Sequence, residues 1–216
     1  MKHFRLPVFY PILDTGLLAR CGLPATTAAE AILEAGARIL QFRHKDFFSR
    51  AVFEEAERIA TLCRNAAALF ILNDRADVAA LLGAGMHLGQ DDLAPADARK
   101  IVGPECIIGF STHHREQLHA ADAEPADYLA IGPIFATASK HNPDPVVGLE
   151  ELRALRAITK KPLVAIGGIT RETARSVLES GADSLAIIGD LYPQPLTKSA
   201  LRKRAEAWLQ ATGGST

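Results

Sequence analysis

Gln41-Phe42-Arg43-His44-Lys45 alternates polar and ring-bearing side chains over five positions. In an extended chain, successive side chains point to opposite faces, so Gln41, Arg43 and Lys45 share one face and Phe42 and His44 take the other. An amide and two cations on one buried face demand anionic company. A diphosphate supplies it, and so do carboxylates in structural ion pairs; one face can serve both uses. Carboxylates follow in Asn73-Asp74-Arg75 and Gln90-Asp91-Asp92. Mg2+ selects hard carboxylate, phosphate and water oxygens and rarely takes an all-protein cage, which makes Asp74 and Asp92 the candidate ligands. Asp91 competes with Asp92, and spacing alone does not separate them. Asp77 reads as a helix-start charge favoured by the helix dipole. The histidines are poorer metal ligands, because His113 and His114 are adjacent and no H-x-x-x-H pairs any of the seven, so zinc is not expected.

Further along, Ser111-Thr112 ends another apolar run, and a long segment from Gly132 to Pro143 carries Thr137, Ser139 and Lys140. Loops of this length without their own structure are usually lids or binding loops, and hydroxyls beside a cation suit phosphate; the competing reading is a solvated surface loop. The run IGGIT offers Gly167-Gly168 for close backbone approach to an anion and Thr170 as a helix N-cap. A tight turn that needs glycine for conformation alone explains the same pair.

These residues need a scaffold that brings chain-distant strand ends together. Short apolar, β-rich runs alternate with longer stretches of helical period throughout the chain, an α/β pattern. The expected strands are Val8 to Leu13, Ile39 to Arg43, Leu69 to Asn73, Met86 to Gly89, Ile107 to Ser111, Tyr128 to Gly132, Leu163 to Ile166 and Ser184 to Ile188. Helical stretches are expected over Thr27 to Ala37, Ala51 to Asn65, Ala76 to Leu82, Ala94 to Val102, Glu116 to Ala123, Leu149 to Thr159, Arg171 to Ser180 and Lys198 to Ala211. Eight βα units predict a single-domain (β/α)8 TIM barrel spanning residues 1–216, near the small end of the usual size of about 200 residues or more. The rival open, doubly wound sheet wants a glycine-rich first turn, and the turn here reads LDTGLL. In a barrel every polar group singled out above falls at a strand's C-terminal end, where barrel active sites form.

Composition narrows the function classes. The chain has 216 residues, 48% of them hydrophobic, enough for one substantial core. A net charge of −1 gives no reason to expect nucleic acid or a membrane surface as partner. Cys21, Cys63 and Cys106 are odd in number and far apart, which suits reduced thiols and a cytoplasmic setting. The apolar stretch after Lys2 and Arg5 is broken by Pro7, Pro11 and Asp14, so neither a signal segment nor a membrane span is expected.

Taken in strand order, QFRHK, NDR, HLGQDD, GFSTH, GPIFATASK, AIGGIT and the final AIIG resemble the motifs of the thiamine phosphate synthase family. The likeness covers the barrel after its first strand. It implies a transferase that couples an aminopyrimidine diphosphate to a thiazole phosphate, with one Mg2+ per subunit, small molecules as its partners, and room for a homo-oligomer. Gln41, Arg43, Lys45 and Asn73 would meet the pyrimidine diphosphate, with Phe42 and His44 of the same motif counted among the substrate contacts. Asp74 and Asp92 would hold Mg2+, and Ser111 and Lys140 would contact the pyrimidine and its diphosphate. Thr137, Ala138, Ser139, Gly168, Ile188 and Gly189 match the thiazole-phosphate side, while Arg43, Lys45 and Lys140 would neutralise the departing charge. This sequence departs from the pattern at His44, where an acid is common, at Ser139 and His141, where threonine and lysine are common, and at Gly189, a usual serine. Any phosphate contact at Gly189 must therefore come from backbone N–H. Alternatives are a thiazole tautomerase relative, which would not need the two acids, a Schiff-base aldolase or phosphosugar isomerase using Lys45 or Lys140, and a non-catalytic phosphate-ligand binder.

Overall fold

The computed structural model describes residues 5–137 and 144–213. Eight parallel strands close into a barrel in sequence order, β1 pairing with both β2 and β8. They are β1 (Phe9–Asp14), β2 (Ile39–Arg43), β3 (Leu69–Asn73), β4 (Gly85–Leu88), β5 (Ile108–Thr112), β6 (Tyr128–Ile131), β7 (Leu163–Ile166) and β8 (Ser184–Ile187). Three match the expected limits and the other five differ by one residue at one or both ends.

Among the described residues the helices are α1 (Thr15–Arg20), α2 (Ala25–Glu34), α3 (Arg50–Asn65), α4 (Ala76–Leu82), α5 (Pro95–Val102), α6 (Arg115–Asp122), α7 (Gly148–Arg156), α8 (Arg171–Glu179) and α9 (Lys198–Ala211). α1 was not expected. It is six residues long, too short for a 3.6-residue period to declare itself, and it depends on Asp14, whose carboxylate accepts the Leu17 N–H at 2.9 Å. α2 begins two residues earlier than expected, directly after Pro24, and stops before Gly36. No described helix is long and apolar enough to cross a membrane.

Strand alternation sorts the apolar residues into two cores. Leu40, Phe42, Leu72, Leu129 and Leu185 point outward and pack with the helices, while Tyr10, Ile12, Ile39, Ile71, Tyr128, Ala130, Val164 and Ala186 fill the barrel interior. Tyr128 needs room that a neighbour provides: a Cβ on Gly109, its register partner on β5, would lie 2.0 Å from the tyrosine ring. α9 returns to close the outer layer, stacking fully buried Trp208 on Phe9 of β1 with centroids 5.9 Å apart.

Candidate active site

A cavity of about 780 Å³ opens at the C-terminal ends of the strands. The alternation that fills the interior with apolar side chains lower down delivers Gln41, Arg43, Lys45, Asn73, Asp74, Asp92 and Ser111 to its wall, and Thr137, Gly168, Ile188 and Gly189 line it as well. Ala138, Ser139 and Lys140 lie outside the described residues. Phe42 and His44 are corrected: neither lines the cavity. Phe42 is 1% exposed in the outer core, and His44 lies along its ring and bonds the Thr15 hydroxyl at 2.8 Å. The pleat that turns Gln41, Arg43 and Lys45 inward turns these two outward.

Each strand-two cation has a carboxylate. Arg43 donates to Asp14, its register partner on β1, and Lys45 Nζ lies 2.6 Å from Asp74 Oδ2. The ion-pair reading of these cations therefore holds, while both still face the cavity. Asp74 adopts φ 66°, a left-handed conformation that asparagine and aspartate tolerate better than other non-glycine residues. Its N–H donates to the His87 carbonyl at 2.9 Å. Burial, and then the Asp92 carboxyl against it, hold the Asp74 acid above its ordinary range, with Lys45 opposing. Of the two neighbouring acids it is Asp92 that meets Asp74 and accepts the Gly89 N–H at 2.7 Å, whereas Asp91 stays exposed at the rim. Asp77 lies in the first turn of α4 and pairs with Arg75 at 2.6 Å.

Beside these charges sits an unsatisfied donor. Asn73 is 8% exposed and its Nδ2 is buried with no hydrogen-bond partner among the described residues of the protein, the kind of donor that calls for an acceptor. Two facing carboxylates, a lone amide donor and open volume suit a hard cation that keeps waters and shares phosphate oxygens. Among the described residues no group of three or more His, Cys, Asp or Glu side chains gathers as a fuller cage. Asp74 and Asp92 are the pair that fits Mg2+.

Across the mouth, Gly167 and Gly168 take φ 97° and 66°, and a Cβ on Gly168 would lie 2.5 Å from the Ala136 carbonyl. Their conformation and the close passage of the loop after β6 both require glycine, and the same pair lines the cavity ahead of α8. Thr170 caps α8, its N–H donating to the Thr173 hydroxyl at 3.0 Å. Gly189 opens a short 3-10 turn, Gly189–Leu191, after β8. Backbone amides at β7 and β8 ends are a recurrent phosphate seat in barrels.

Below the charges lies a polar chain that residue-type reasoning had not marked. Gln41 Nε2 donates to Tyr10 Oη at 2.8 Å, the Tyr10 and Tyr128 hydroxyls are 2.8 Å apart, His87 Nδ1 lies 3.0 Å from Tyr128 Oη, and His87 Nε2 lies 2.8 Å from Ser111 Oγ. Desolvation drives the His87 pKa down to about 4, with Asp92 pulling it upward. Inward tyrosines read as core in a strand pattern; only the period-two position of His87, two residues after Gly85 on the inner face, hinted at a role.

The fold and this mouth define the class, an α/β-barrel enzyme with its polar groups gathered at the C-terminal ends of the strands. A family model described as thiamine monophosphate synthase matches residues 9–191. The thiamine-phosphate synthase of Koribacter versatilis is 49% identical over 209 residues, covering 95% of this chain and 96% of that protein. That of Moorella thermoacetica is 39% identical over 193 residues, covering 89% and 92%. The solved thiamine phosphate pyrophosphorylase of Pyrococcus furiosus superposes with a TM-score of 0.82 at 34% identity, covering 95% of each chain. The chain belongs to the thiamine monophosphate synthase family, and it is a transferase of thiamine biosynthesis.

Proposed function

We propose that the mouth joins 4-amino-2-methyl-5-(diphosphooxymethyl)pyrimidine to a thiazole phosphate, releasing pyrophosphate, and carbon dioxide as well when the thiazole is carboxylated. The observation that carries this reading is Asn73 Nδ2, a buried donor with no partner on the wall that also holds Arg43 and Lys45. A diphosphate oxygen is the acceptor that such a donor lacks. Arg43, already oriented by Asp14, and Lys45, oriented by Asp74, then stabilise negative charge as the bond from methylene carbon to diphosphate oxygen breaks and its electron pair leaves with the diphosphate.

The aminopyrimidine spreads the positive charge left on its methylene carbon, and the thiazole nitrogen supplies the electron pair for the new C–N bond. No protein nucleophile is required; the residues bind, orient and exclude water. When bound by Asp74 and Asp92, Mg2+ would further neutralise the diphosphate oxygens. Backbone N–H groups at Gly168 and Gly189 seat the thiazole phosphate, and Lys140, by family resemblance, adds a cation to the diphosphate. A cytoplasmic setting belongs to the same proposal, in keeping with Cys21, Cys63 and Cys106 as free thiols.

The test combines omission with substitution. Thiamine phosphate should form only when both heterocycles and Mg2+ are present. Asp92→Ala should lower turnover by roughly a hundredfold or more while shifting the urea midpoint little. A folded Asp92→Ala protein with full activity in metal-free buffer would remove the metal assignment.

A further inference from the structure

The links of the hydrogen-bond chain beneath the cavity must all run in the same direction. Tyr10 Oη receives a proton from Gln41 Nε2, so its single hydroxyl proton goes to Tyr128. The Tyr128 proton then goes to His87 Nδ1. The neutral imidazole must carry its own proton on Nε2 and give it to Ser111 Oγ. What remains at the two ends, Gln41 Oε1 and the Ser111 hydroxyl proton, belongs to residues that line the cavity. Turning the Gln41 amide over would reverse every link together, because reversing one alone sets two donors or two bare acceptors against each other in a buried site. The ends are therefore always opposite in kind: one accepts while the other donates.

Resting on the pyrimidine-binding reading above, we infer that Tyr10, Tyr128 and His87 are positioning residues that lock Gln41 and Ser111 into one chain of fixed polarity. Gln41 then accepts from a 4-amino group and Ser111, three strands away on β5, donates to N1 on the opposite side of the same pyrimidine. A 4-oxo pyrimidine is refused in either polarity. As the chain stands, its carbonyl meets the Gln41 carbonyl; turning the chain over lets Gln41 donate but makes Ser111 an acceptor opposite N1, which still accepts in the N3–H tautomer of such a ring. The interior glycine that makes room for the Tyr128 ring, and the tyrosine pair's placement in the inner core, show how the barrel interior accommodates this chain.

The experiment compares wild type, Tyr10→Phe, Tyr128→Phe and the double variant, each retaining its ring and its packing. Turnover of the 4-amino pyrimidine diphosphate and its competition by the 4-oxo analogue give the preference. Each single substitution should cut the amino-over-oxo preference by roughly tenfold through the pyrimidine KM. The KM for thiazole phosphate should stay put, and the double variant should lose no more than either single, as members of one chain do. In 15N-histidine spectra of the free wild-type protein, His87 should be the Nε2–H tautomer. An unchanged preference in folded variants, additive losses, or an Nδ1–H His87 would each overturn the inference. Wild-type protein that forms no thiamine phosphate would instead indict the substrate reading, while the tautomer still reports on the chain.

Discussion

At the residue scale, the charges of the mouth are held by partners that also aim them. Lys45 reaches Asp74, and Asp74 reaches Asp92, from the ends of three successive strands. His87 sits beneath them in a setting that resists protonation. Because the folded ring titrates at about 4 and an unfolded histidine near 6.5, its share of stability is complete above the unfolded value. That share shrinks as pH falls and is gone below about 4. His87→Gln should therefore flatten the loss of unfolding free energy between pH 7 and pH 5, a difference of up to about 2 kcal/mol over that interval. Urea titrations at both pH values measure it, and parallel slopes for the two proteins would contradict it. Arg43, Lys45, Asp74 and Asp92 were legible in the sequence because charge at the end of an apolar run is costly without a purpose. Phe42 and His44 were misassigned when a contiguous motif was read as a contiguous contact, although the pleat separates them from their neighbours. Tyr10, Tyr128 and His87 escaped because their role lies in mutual hydrogen bonds, which residue type does not announce.

At the element scale, strands were easier to read than caps and short turns. The eight apolar runs keep their places to within a residue or so because burial on both faces of a parallel barrel writes a continuous signal. α1 and the turn Gly189–Leu191 are stabilised by their surroundings more than by their own period. Of the two readings of the turn after β7, glycine for phosphate or glycine for conformation, the structure shows the conformational demand at Gly168, which also lines the cavity. Gly168→Ala places a methyl against the Ala136 carbonyl at φ 66°, which should destabilise the fold by about 2–4 kcal/mol. Thermal unfolding checks this; a change below about 0.5 kcal/mol would mean that the loop after β6 yields without strain.

At the scale of the whole molecule, the barrel brings the ends of β2, β3, β4 and β5 to one wall and those of β7 and β8 to another, around one cavity. The eightfold alternation made this architecture readable from the sequence, since only closure gathers strand ends so far apart in the chain. What alternation does not convey is which end groups are already paired and which, like Asn73 Nδ2, are left waiting. That buried donor beside paired cations is what the proposed two-substrate, diphosphate-releasing reaction rests on. The most direct measurement incubates the purified chain with both phosphorylated heterocycles and Mg2+ and quantifies the two products together. The account predicts thiamine phosphate and pyrophosphate in equal yield, with the pair falling in step in Asn73→Ala. Pyrophosphate released without thiamine phosphate, or neither product from the folded protein, would contradict it.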